Sequence, residues 1–181
     1  MKKSIDKARL ENVRENLENL NTVTELILVA TMYIEQKAIH FLEGNLKYPE
    51  YLFSKDCKDQ NYNLILRFAL SNGFLSEVGY GYACSPHRAS NVPGDFFDEE
   101  EVKEFEKEFI AEANSISYAV ICWCLDIGSL RNKFAHRLEY QMTPRDKHIF
   151  ESLNTFYPND GFNNEIEEIR NAVSILFCII E

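Results

Sequence analysis

Apolar side chains recur along most of this chain at a spacing of three or four residues, which is the period of an amphipathic helix. No convincing alternation of apolar and polar residues is present beyond short aromatic pieces such as GYGYA. The pattern therefore predicts an all-α fold. The predicted helices cover about residues 4–19, 22–43, 60–75 and 163–181, with one from Asp98 that either runs on or restarts before His136, and one that begins at Thr143 and Pro144.

Local residues indicate where these helices begin and end. Gly44 lacks a Cβ and suits a left-handed cap after the second helix, and Asn72-Gly73 ends the third. Asp98 opens a capping-box-like sequence at the start of an acidic helix. Residues 76–96 are rich in glycine and contain two prolines, so they predict a long irregular loop that is functional or mobile.

The composition is that of one globular domain spanning residues 1–181, because 45% apolar residues are enough to close a core. The N-terminus, MKKSIDKARLENVREN, has basic residues but no apolar run behind them, unlike a secretory signal. The longest apolar stretches, ISYAVICWCL and AVSILFCII, are shorter than the roughly 20 residues that span a bilayer. We therefore expect a cytoplasmic protein without a membrane segment, in which SILFCII is a core helix or a partner-binding helix.

The five cysteines form an odd set without metal-ligand spacing, and in a reducing compartment they are expected to be free thiols. Cys122 and Cys124 lie two positions apart on a predicted helix and point to roughly opposite faces. We expect them to belong to the core rather than to chelate one ion. The sequence thus gives no indication of a metal site or of another cofactor.

The net charge of −10 argues against a general nucleic-acid-binding protein, because such binding depends on Lys and Arg side chains that neutralise phosphates. The charge is unevenly distributed. Residues 97–126 carry a net charge of −7, whereas residues 127–150 carry +3 and form the one clearly positive window. That window contains SLRNKFAHRL, residues 129–138, which groups Arg131, Asn132 and His136 within six positions.

Helical geometry predicts which of these side chains reach solvent. At 100° per residue, one stripe forms the core-facing side of the helix, and it consists of Ile127, Leu130, Phe134 and Leu138. His136 then lies close to the opposite side, with Asn132 as its neighbour one turn earlier. Arg131 is placed at the edge of the core stripe, about 140° from His136 by the same arithmetic.

These residue types together can promote cleavage of a phosphodiester without a metal ion. Lys133 and Arg137 disfavour protonation of the nearby imidazole, so His136 can act as a general base or acid towards a ribose 2′-hydroxyl or the leaving oxygen. Arg131 can hold the phosphate through two N–H donors, and Asn132 can orient either group. Because one histidine does not readily serve as both acid and base, a two-fold homodimer with facing motifs is expected to complete the site.

The segment RNKFAH fits the Arg-(Asn/Asp/His)-x-x-x-His pattern of the HEPN superfamily, and the chain resembles its mannitol-operon-repressor-like branch. TELILVATMYIEQKAIHFL is similar to the early helix of that branch, and NLILRFALSNGFLS to the segment before its motif helix. The resemblance covers about residues 22–155. It implies an antiparallel helical bundle, here with extra terminal helices, that dimerises at the motif and, in active members, cleaves RNA without a metal ion.

Carried over to this chain, the resemblance makes Arg131 and His136 the catalytic pair, Asn132 the intervening polar residue and Glu35 a supporting position. Lys133 and Arg137 are additional candidates for RNA binding. The first functional hypothesis is an endoribonuclease that acts on single-stranded RNA as a toxin or phage-defence effector, with a possible antitoxin partner. The alternative hypothesis is a catalytically silent regulator or protein-interaction module.

Overall fold

The computed structural model describes residues 7–47, 62–81, 99–137, 139–157 and 161–181. Within these ranges the chain forms six α-helices and one 3-10 turn, with no strand, so the all-α prediction is confirmed. The elements are α1 (Lys7–Asn16), α2 (Val23–Asn45), α3 (Tyr62–Ser71), the 3-10 turn (Val78–Gly81), α4 (Glu99–His136), α5 (Pro144–Asn154) and α6 (Glu165–Ile180).

Two helices start at capping boxes. Thr22 caps α2, and its hydroxyl accepts a hydrogen bond from the Glu25 backbone N–H while the Glu25 carboxylate accepts one from the Thr22 N–H. Thr143 caps α5 in the same way, with Pro144 in the first helical turn. The predicted cap at Asp98 lies outside the described residues.

The predicted end of a helix is confirmed at Gly73 and is wrong at Gly44. Gly73 has φ 96° just after α3, which confirms the predicted end of that helix. Gly44 is not a left-handed cap, because α2 continues through it to Asn45. The side-chain amide of Asn45 donates to the Phe41 carbonyl at 2.8 Å, and the Leu46 N–H donates to the Leu42 carbonyl at 2.9 Å. The helix thus ends one residue beyond Gly44, with an extended residue, Leu46, at its C-terminus instead of a left-handed glycine.

Helix α4 runs unbroken for 38 residues, or roughly 57 Å at 1.5 Å per residue. The start of the predicted loop packs against it. The Gly79 N–H donates to Ser117 Oγ at 2.8 Å, and a Cβ on Gly79 would lie 1.7 Å from the Ala113 carbonyl oxygen, so only glycine allows this approach. The rest of the loop lies outside the described residues.

Helix α6 forms the centre of the core, since every residue from Asn171 to Ile180 is buried. Of the two interpretations of SILFCII, the core helix is therefore confirmed. The Phe177 ring stacks on Tyr33 of α2 with centroids 4.0 Å apart. At the other end of α6, the Arg170 guanidinium donates to the carbonyls of Leu17 and Leu20, which follow α1.

One helix of the described residues, Glu106–His136, is long and apolar enough to cross a membrane by length and composition alone. A core helix of a soluble protein satisfies the same criterion. Val120, Cys124, Ile127 and Leu130 are fully buried in the helical core, which is consistent with a soluble protein. The same helix also exposes apolar side chains, because Ile110 is 46% and Tyr118 70% exposed.

Candidate functional site

The SLRNKFAH motif forms the C-terminal end of α4, and His136 is the last residue of the helix. Ile127 and Leu130 are fully buried, as the core stripe predicts, and Phe134 is half-buried against Tyr140. Asn132 and His136 are exposed. The histidine therefore belongs to the solvent side of the helix, where it can meet a ligand or another molecule.

Arg131 is half-buried, and it lies close enough to Tyr62 of α3 for its charge to lower the pKa of that phenol. Burial is the main reason why the pKa of Tyr62 is raised far above its usual range, and the nearby Glu35 carboxylate raises it further. Arg131 and Glu35 thus lie near one buried phenol between α2, α3 and α4, and Arg131 is about 140° around the helix axis from His136.

Tyr62 can pack here because position 128 is glycine. A Cβ on Gly128 would lie 2.1 Å from Tyr62 Cε1, and the Tyr62 hydroxyl donates to the Cys124 carbonyl at 2.9 Å. The phenol therefore crosses the surface of α4 one turn before the motif. Sequence reasoning did not identify Tyr62. A glycine inside a long helical pattern was the available signal, because such a glycine often marks a close approach.

A second group of contacts lies one turn before His136, on the side of α4 that faces α5. We call it the Asp146 cluster, and it consists of Asp146, Lys133, Tyr140 and Thr143. The Lys133 ammonium donates to Asp146 Oδ1 at 2.7 Å. The Tyr140 hydroxyl donates to Oδ2 at 2.5 Å, and the N–H and hydroxyl of Thr143 donate to Oδ2 at 2.9 and 2.7 Å.

The Asp146 carboxylate stays ionised because of these donors. Burial by itself would raise its pKa, but the hydrogen bonds from Lys133, Tyr140 and Thr143 outweigh that effect and hold the pKa far below its usual range. The same contact raises the pKa of Lys133. The pair therefore remains charged, and it joins the end of α4 to the first turn of α5.

The contacts of the Asp146 cluster involve one of the two candidate RNA-binding residues, Lys133 and Arg137. The Lys133 ammonium is bound by Asp146 and lies 5.6 Å from the Tyr140 ring centroid, so the structure gives this candidate RNA-binding residue an intramolecular partner. Arg137 is exposed, with its guanidinium 5.6 Å from the centroid of the same ring. Arg145 on α5 is also exposed. Arg137 and Arg145 are the basic side chains of the positive window that extend into solvent without a carboxylate partner among the described residues.

The exposed side of α4 carries an uncharged stripe that leads to the motif. We call it the α4 stripe, and it consists of Tyr118, Cys122, Leu125, Ser129, Asn132 and His136. These positions alternate steps of four and three residues, so they lie on one face of the helix over roughly 27 Å. Tyr118 is 70% exposed and is the most exposed large apolar residue of the described chain. Tyr118, Ser129, Asn132 and His136 are exposed, whereas Cys122 and Leu125 are half-buried.

In the described ranges, no three side chains among His, Cys, Asp and Glu are grouped as metal ligands. No family model matches this sequence, and no curated protein or solved structure shows significant similarity to it.

Proposed function

We propose that this chain is a metal-independent endoribonuclease that cleaves single-stranded RNA in a site completed by a second copy of the chain. The observation that carries the proposal is the exposure of His136 and Asn132 at the end of the uncharged α4 stripe. An exposed helical face with a large aromatic residue and no charge is typical of a surface that another molecule covers. The HEPN-like spacing of Arg131 and His136 supports the choice of reaction.

In the proposed reaction, one His136 imidazole accepts the proton of a ribose 2′-hydroxyl as that oxygen attacks the adjacent phosphorus. The His136 imidazolium of the second copy protonates the departing 5′-oxygen. The bond between phosphorus and the 5′-oxygen breaks, which leaves a 2′,3′-cyclic phosphate and a 5′-hydroxyl. Arg131 stabilises the charge on the non-bridging oxygens. Flexible single-stranded RNA reaches the in-line geometry that this attack needs.

The direct test is cleavage of a labelled single-stranded RNA in the presence of a chelator. We expect His136→Ala and Arg131→Ala each to lower the rate by at least about 100-fold, with products that end in a 2′,3′-cyclic phosphate. His40→Ala is the matched control, because His40 is an exposed helical histidine on α2. Equal activity of all three variants and the unmodified protein would exclude this site.

The homodimer is tested through the α4 stripe. Tyrosine presents about 150–250 Å² of surface, and 70% of Tyr118 is exposed, so its burial contributes about 3–4 kcal/mol per copy at about 25 cal/mol per Å². We expect Tyr118→Arg to weaken the dimer by at least about 100-fold and to abolish cleavage. Leu64→Arg is the matched control, since Leu64 on α3 is 62% exposed and lies off the stripe. A Tyr118→Arg monomer with full activity contradicts the composite site.

One observation favours the second function, a catalytically silent regulator or interaction module with a protein partner. Arg131 is half-buried near Tyr62 and Glu35, where a structural cation also fits. Arg131→Lys separates the two functions, because lysine keeps the charge but cannot donate the planar pair of N–H groups to a phosphate. We expect this variant to keep its stability and lose most RNA cleavage. An unmodified protein that cleaves no RNA and does not arrest growth when overproduced fits the regulator.

A further inference from the structure

The Asp146 cluster makes more contacts than the start of a helix requires. The capping box of α2 gives the comparison: the exposed Glu25 carboxylate accepts from the N–H groups of Asn21 and Thr22, which lie within four residues of it in the chain. Asp146 makes the same local contact with Thr143, but it also accepts from Lys133 and Tyr140, which lie before α5. The additional donors connect α5 to the end of α4.

The contacts surround the position of His136 along the chain. Lys133 precedes His136 by three residues, and Tyr140 follows it by four. The Tyr140 ring also packs edge-on against Phe134 with centroids 5.1 Å apart. His136 is the last residue of its helix, and helix ends without such contacts fray readily. The cluster therefore fixes the backbone on both sides of an exposed imidazole.

The burial of Asp146 strengthens its ion pair with Lys133. The Asp146 side chain is 4% exposed and the Lys133 side chain 36% exposed, so the carboxylate is held inside the protein while the ammonium reaches it from the rim. An ion pair that is shielded on one side by protein is screened less by water and salt than a fully exposed pair. Lys133 is thereby fixed against α5 rather than free to follow a ligand.

We propose that Asp146 is a positioning residue for the candidate site, which holds His136 and Arg137 in place by binding Lys133, Tyr140 and the Thr143 turn on one buried carboxylate. The inference rests on the proposed ribonuclease function. Asp146 itself does not touch the RNA. Its effect is on the orientation of the general acid and base, for which a misplacement of about 1 Å lowers a rate by about 100-fold.

The test compares Asp146→Asn, Lys133→Met and the double variant in single-turnover RNA cleavage, under conditions where all remain folded. Asparagine keeps an acceptor for the Thr143 groups but loses the charge that binds Lys133. We expect each single variant to lower the cleavage rate at saturating protein by about 10-fold to 100-fold with little change in RNA affinity. The double variant should be no slower than either single variant, because both break one contact. Glu25→Gln, in the α2 capping box, is the matched control.

Two results overturn the inference: Asp146→Asn that cleaves as fast as Glu25→Gln, or Lys133→Met that weakens RNA affinity and adds its effect to that of Asp146→Asn. The second result assigns Lys133 to the RNA instead. If the unmodified protein cleaves no RNA, the ribonuclease proposal fails, and the positioning inference is judged by NMR. The His136 imidazole signals should then shift or broaden in Asp146→Asn and Lys133→Met but not in Glu25→Gln, and unchanged signals overturn the inference.

Discussion

The same substitution, glycine to alanine, should have opposite effects at two helical positions of this chain. Inside a helix, alanine is favoured over glycine by about 0.8–1.0 kcal/mol. At Gly44 in α2, no atom lies within 4 Å of the added Cβ. We therefore expect Gly44→Ala to raise the free energy of unfolding by about 0.5–1 kcal/mol, with the smaller value reflecting its place in the last turn.

At Gly128 the added Cβ meets the Tyr62 ring at 2.1 Å from Cε1 and 2.9 Å from Cδ1. Carbon atoms pack at about 3.5–4.0 Å, so the ring has to move by roughly 1.5 Å. Overpacking of this kind costs about 1–3 kcal/mol, and loss of the 2.9 Å hydrogen bond to the Cys124 carbonyl costs about 1 kcal/mol more. After the helix gain is subtracted, Gly128→Ala should lower the free energy of unfolding by about 1–3 kcal/mol.

Urea unfolding followed by circular dichroism measures both changes, and thermal melts should differ between the two variants by roughly 3–16 °C. Replacement of Tyr62 by leucine removes the clashing edge of the ring, so Gly128→Ala should cost less in that background. The reasoning is refuted if Gly128→Ala stabilises the protein, or if its cost is the same with Leu at position 62. A left-handed Gly44 would instead make Gly44→Ala destabilising.

Three further changes test other contacts. The pKa of Asp146 is lower in the folded protein than in the unfolded chain, so the stability that its carboxylate contributes is present above the unfolded-state pKa and is lost as the pH falls. Between about pH 5 and 2, the free energy of unfolding should therefore decrease less in Asp146→Asn than in the unmodified protein. Parallel curves for the two proteins contradict this. Arg170→Ala removes a guanidinium that donates to backbone carbonyls after α1, so it should lower the free energy of unfolding in urea by about 2–4 kcal/mol. Arg145 is exposed, and Arg145→Ala should change the same free energy by no more than about 0.5 kcal/mol. Equal values for the two variants refute the capping role of Arg170. Gly79→Ala places a Cβ against the Ala113 carbonyl and should release the 3-10 turn, which faster amide exchange at residue 79 would reveal and unchanged exchange would contradict.

The parts of the fold that sequence reasoning predicted are those that depend on near neighbours in the chain. Thr143 and Pro144 are adjacent, and their types predict the start of α5 correctly. The exposure of His136 follows from the period of one helix and was predicted correctly. The prediction at Gly44 was wrong because a helical glycine and a capping glycine have the same sequence, and here α2 continues through Gly44 to Asn45.

The contacts that surround the candidate site could not be predicted in this way. Tyr62 meets Cys124 across 62 positions of sequence, and Lys133 meets Asp146 across 13. Tyrosine and lysine occur in many surroundings, so neither residue type indicates its partner. Spacing and composition identified Lys133 only as a cation in a positive window, and the structure supplies the carboxylate that binds it.

Different sides of α4 contact different parts of the chain, and these contacts determine where Arg131 and His136 lie. One side receives Tyr62 over Gly128 and includes Arg131, and another side binds Asp146 through Lys133. The remaining side carries the α4 stripe and ends in His136. A rotation of the helix that brought Arg131 to the stripe would remove Gly128 from the Tyr62 ring and Lys133 from Asp146 at once. The separation of Arg131 from His136 around the helix therefore follows from the contacts that Gly128 and Lys133 make with other parts of the chain.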